Sequence, residues 1–174
     1  MRRGAVPIAG RWRLVVLATT VGAASVSAAE WGPAAQDEIL AGVRSCAASV
    51  GPSGLDEEHL VADGWSMGAM SSHGKAVATD LIFYGKGNLM LMSSKVPPGR
   101  TQLCTITARI ASVRSFPAIQ TAMAASYGKP FKDDGKGEQM FEALDHRFID
   151  LASTGSNDRP SVRIAVGYVS QETK

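Results

Sequence analysis

The sequence predicts an α+β domain, a mainly antiparallel sheet with two principal helices packed on one face. Three observations carry that prediction. Residues 34–50 and 116–127 repeat apolar side chains at helical spacing, residues 81–113 and 138–169 alternate or run apolar at strand spacing, and the links between strands are short and turn-like. Short links join antiparallel neighbours, whereas a parallel sheet needs a crossover of a dozen or more residues after each strand.

Composition bounds the size of that domain. With 174 residues, 45% hydrophobic and 20% charged, the chain buries one ordinary core. A collagen-like or mainly disordered chain is excluded, and two cysteines with 6% aromatic residues exclude a disulfide-dense mini-scaffold.

Residues 1–29 read as a cleavable signal peptide and residues 30–174 as a single exported domain. Arg2, Arg3, Arg11 and Arg13 accompany an apolar stretch over residues 14–24, and the small run Ser25-Val26-Ser27-Ala28-Ala29 follows. The cations hold the start on the cytoplasmic side, the apolar run enters the translocon, and small side chains fit the peptidase. A cut after Ala28 or after Ala29 fits equally. The apolar stretch is about half of the ~20 residues that a membrane span needs, which argues against a retained anchor. The product is expected to be periplasmic or secreted, with no stable membrane insertion after the signal is removed.

Charge depends on that cut. The chain carries 18 Lys and Arg against 16 Asp and Glu, but no acid precedes Glu30, and losing the four leader arginines leaves 14 cations against 16 acids. The mature part is slightly acidic. That removes the compositional case for a nucleic-acid partner or an anionic membrane surface.

The mature elements follow in order. A first helix is expected over residues 34–50, stopped by Gly51-Pro52-Ser53-Gly54, and a second short one begins where Asp56, Glu57 and Glu58 suit the positive amino end of a helix. Residues 65–80 are small, polar and glycine-broken, enough for one short strand or an open loop. Leu81-Ile82-Phe83-Tyr84 and Leu89-Met90-Leu91-Met92 flank Gly85-Lys86-Gly87-Asn88 as a hairpin, and residues 101–113 make a long alternating strand. Ser115 can cap a helix over residues 116–127, which Gly128 ends. A charged loop over residues 129–137 leads to strands over residues 138–144, 146–153 and 161–169, the last two forming a hairpin. The order resembles two helix-plus-meander halves without any residue-level repeat.

Export puts Cys46 and Cys104 in an oxidising compartment. On the first helix Cys46 shares an apolar stripe with Ile39, Val43, Ala47 and Val50, and on the long strand Cys104 alternates inward with Ile106, Ala108 and Ile110. Both sulfurs therefore face the core, and a structural disulfide is expected over two buried free thiols. No C-x-x-C pair points to a redox role.

Three patterns bear on chemistry. Gly64-Trp65-Ser66-Met67-Gly68 matches the G-x-S-x-G elbow that lifts a serine nucleophile between a strand and a helix, with His146 as possible base and Asp133 or Asp134 as its orienter. Against it, Glu57-Glu58-His59 stands where a β-branched strand is needed, and 18 glycines make a chance match ordinary. Met67, Met70 and His73 stand three apart, and Met90 and Met92 share a strand face, a soft donor set suited to copper in an exported protein. Core filling explains methionines in an apolar strand equally well. His59, His73 and His146, with Asp145 and Asp150, fall at no zinc spacing, and the phosphate-binding glycine motifs are absent.

Binding is therefore expected over catalysis: no catalytic residue, metal or cofactor, and recognition of a protein partner or an envelope component. The sheet face bearing Thr105, Thr107, Arg109 and Arg163 is the expected contact surface, with Trp65, Phe83 and Tyr84 as candidate aromatic anchors. A serine hydrolase requires Ser66 within reach of a histidine, and a copper site requires Met67, Met70 and His73 to converge. Simple recognition requires an uncovered sheet face.

Overall fold

The computed structural model describes residues 31–72, 75–77, 79–94, 96–97 and 101–169. The leader and His73 lie outside the described residues. Helix α1 (Gln36–Ser49) carries Asp37 and Glu38 in its first turn, where the helix dipole favours them. Glu38 accepts from the Ala35 backbone N–H at 3.3 Å and from the Asn88 N–H at 2.7 Å, so one carboxylate starts the helix and ties it to a distant turn. The expected stripe is the buried one: Ile39, Val43 and Cys46 are inaccessible to solvent.

A small hairpin, β1 (Val50–Gly51) and β2 (Gly54–Leu55), turns the chain into α2 (Glu57–Ala62). Asp56 caps α2 by accepting from the His59 N–H at 2.9 Å. The glycine-broken stretch yields three short strands, β3 (Ser66–Gly68), β4 (Ser71–Ser72) and β5 (Lys75–Ala76). Strands β6 (Leu81–Lys86), β7 (Leu89–Ser94) and β8 (Gln102–Arg109) form the first meander. A 3-10 turn leads into α3 (Phe116–Tyr127), and β9 (Lys132–Asp133), β10 (Glu138–Ala143), β11 (Arg147–Gly155) and β12 (Pro160–Tyr168) complete the fold.

Eight strands join one antiparallel sheet in the order β3-β6-β7-β8-β12-β11-β10-β9. Helix α1 with β6–β8 and helix α3 with β10–β12 are two helix-plus-meander halves that meet where β8 pairs with β12. Each long strand alternates. Cys104, Ile106 and Ala108 of β8 and Val162, Ile164 and Val166 of β12 point to the helices and are buried, whereas Thr105, Thr107, Arg109, Ser161, Arg163 and Ala165 point away. The helices lie on one face, as expected. Among the described residues, no helix is long and apolar enough to cross a membrane.

The core is fastened at its centre by the Cys46–Cys104 disulfide, which joins α1 to β8 across 58 residues with the two Cα atoms 5.8 Å apart. In the chain-entropy model a closed loop of that length contributes about 4 kcal/mol. Gly42, one turn earlier on α1, makes the close approach possible. A Cβ there would stand 2.7 Å from Leu89 Cδ1 and 3.2 Å from Ile106 Cδ1, so any side chain would force these core residues or the helix to shift.

Four expectations are corrected in detail. Gly85 and Lys86 stay in β6, leaving Gly87-Asn88 as the tight turn that the pairing of Lys86 with Leu89 demands. Strand β8 ends at Arg109 because its neighbour β12 begins at Pro160, which has no N–H to extend the ladder. Ser115 does not cap α3; its backbone is helical, and its hydroxyl meets Ser112 Oγ at 3.3 Å. His146 belongs to the β10–β11 turn, where Asp145 and His146 have φ values of 59° and 61°, a conformation that Asp and His tolerate better than most residues.

Candidate functional site

The face of the sheet opposite the helices brings the expected residues together. Cross-strand pairing sets Phe83, Met92, Thr105, Ala165, Asp150 and Met140 in one row across six strands. Beside it, Met90, Thr107, Arg163, Ala152 and Glu138 form a second. A third row closes one end, where Leu103 pairs with Gly167, Gly167 with Phe148 and Phe148 with Glu142. Phe83, Met90, Met92, Met140 and Phe148 are all half-buried, and Leu103 is 39% exposed. The apolar side chains thus form a tract with charges around it.

Two of the three aromatic candidates lie elsewhere. Trp65 and Tyr84 are buried in the core under α1 and α2, at 2% and 1% exposure, and only Phe83 reaches the open face. Met90 and Met92 move the other way. Leu89 and Leu91 fill the core while the two methionines point out, so core filling is not what places them.

Charge on this face is mostly paired. Arg163 donates to Asp150 Oδ2 at 3.1 Å, and Arg109 donates to the Trp31 carbonyl at 2.9 Å. Asp150 Oδ1 is buried with no hydrogen-bond partner among the described residues. Burial raises the Asp150 carboxyl above the usual aspartate range, and the Arg163 guanidinium opposes that shift without cancelling it.

Ser66 sits on exposed edge strand β3, opposite Gly85. Helix α2 precedes it and a strand contains it, the reverse of the strand-to-helix order that a nucleophile elbow uses. His146 lies in the turn leading into β11, five strand spacings from β3, about 24 Å at ~4.8 Å per step. Asp133 and Asp134 are engaged in their own turn. Asp133 accepts from the Gln139 amide at 2.8 Å and the Gly135 N–H at 2.8 Å, and Asp134 accepts from the N–H groups of Lys136 and Glu138 at 2.7 and 2.9 Å. Those bonds hold both carboxyls below the usual range.

Met67 and Met70 are 65% and 42% exposed, and the third member of their set, His73, lies outside the described residues. No group of three His, Cys, Asp or Glu placed to hold a metal ion occurs among the described residues.

One polar cluster escaped sequence reasoning. Ser45 on α1 donates to Asp63 Oδ2 at 2.6 Å, Asp63 also faces His59 at 3.7 Å, and the Lys86 ammonium donates to the Asp63 carbonyl. The Ser45 hydroxyl is the main cause of a lowered Asp63 carboxyl. Nearby, the Tyr84 hydroxyl donates to Glu57 Oε2 at 2.5 Å, and burial, reinforced by Glu57, pushes the phenol well above its ordinary range. In this arrangement the serine donates directly to a carboxylate, and the cluster binds α1 and α2 to β6. A half-open cleft of about 220 Å³ between Phe116 and the β11–β12 turn, with Asn157 on its rim, is smaller than ordinary ligand pockets.

Comparisons with protein-family models, with curated proteins and with solved structures each found nothing that matches this chain.

Proposed function

We propose that the chain is exported, loses residues 1–29, and acts in the periplasm or outside the cell as a non-catalytic recognition protein that binds a protein partner or an envelope component through the open sheet face. The observation that carries this reading is the tract of Phe83, Met92, Leu103 and Phe148 on the face away from the helices. A rigid sheet floor fixes the backbone. Methionine and phenylalanine on it provide adaptable apolar contacts, with Arg163 and Glu142 at the margin for orientation. Export is supported by the leader pattern and by a buried disulfide that forms and persists in an oxidising compartment.

The test places a photo-crosslinking amino acid at Thr105, in the middle of the open face, or at Ala118, exposed on α3, and expresses each chain with its leader intact. The expected result is processed protein in the periplasmic fraction or the medium and one discrete adduct from position 105 that position 118 does not give. Unprocessed cytosolic protein sinks the export half. Identical adduct patterns from both positions, or none from 105, sink the recognition half.

A further inference from the structure

We draw no further inference here: the strongest candidate, the apolar end of the open sheet face around Leu103 and Phe148, belongs to the surface already described, and nothing in the structure shows what covers it.

Discussion

Gly167 shows how a single atom organises the open face. A Cβ at that position would stand 2.2 Å from Phe148 Cζ and 3.0 Å from Leu103 Cδ2, so the glycine is the floor on which Phe148 lies. Gly167→Ala is expected to push aside the tip of the Phe148 ring, which lies on the open face and can give, so its cost is expected at or below the low end of the ~1–3 kcal/mol typical of overpacking, read as a small fall in denaturant midpoint. In a Phe148→Leu background most of that penalty disappears; a penalty of unchanged size there would show that the ring is not its cause. Asp150 makes a second prediction at this scale. Its carboxyl is raised in the folded chain, so the folded state binds the proton more tightly than the unfolded state does. Stability therefore falls as pH rises from the ordinary aspartate value through the raised one, and the loss is complete above it. Asp150→Asn removes this dependence. The variant is expected to gain on the parent as pH rises through that window, measured as the difference in unfolding free energy on either side. A constant difference defeats the assignment.

At the scale of elements, the disulfide is the fastening that most needs testing. Both sulfurs are inaccessible to solvent, so a reductant reaches them only when the chain opens. With a reductant and a thiol trap present together, neither cysteine of the folded protein is expected to be labelled until denaturant is added, and the Cys46→Ala, Cys104→Ala double variant is expected to lose about 2–5 kcal/mol. Labelling at the full rate without denaturant contradicts the burial. This bond was readable in advance because each cysteine sits on an apolar period of its own element, and two inward sulfurs on packed elements meet. The direction of β7 was not readable. In Leu89-Met90-Leu91-Met92 both faces are apolar, so alternation carries no sign, and only its pairing with β8 sends the methionines outward. The pairing of β8 with β12 was equally hidden, since Arg109 and Ser161 are neighbours across half a hundred residues that no local pattern links. Ser45 on α1 and Asp63, just past the end of α2, meet across 18 residues, a juxtaposition that depends on how α2 docks and leaves no spacing signature. The serine motif misled for a related reason. Its first glycine, Gly64, shapes the exit from α2 with a φ of 84°, and its second, Gly68, ends strand β3, so neither forms the entry to a helix.

The whole molecule divides labour between its two faces. Helices, disulfide and the Ser45–Asp63 and Tyr84–Glu57 hydrogen bonds lie on one side, whereas the fastenings on the open side are the Arg163–Asp150 pair and the Arg109 bond to the Trp31 carbonyl, and the apolar residues between them are expected to change without unfolding the protein. Leu103→Glu tests this division. Leu103 is 39% exposed, and surface substitutions away from special features usually shift stability by no more than about 0.5 kcal/mol. The variant should therefore unfold close to the parent's midpoint while placing a carboxylate within the apolar tract, next to Gly167 and Phe148. A carboxylate desolvated by an apolar partner is strongly disfavoured, and each 1.4 kcal/mol lost from binding lowers affinity about tenfold. The adduct formed from position 105 is expected to fall by at least that factor in Leu103→Glu and to persist in Ala118→Glu, where the new charge stands on the outer surface of α3. An adduct of undiminished yield in a folded Leu103→Glu protein would move recognition off this face. A large loss of stability would show instead that the open side helps to hold the fold, and the Ala118→Glu control read by the same unfolding curve separates the two outcomes.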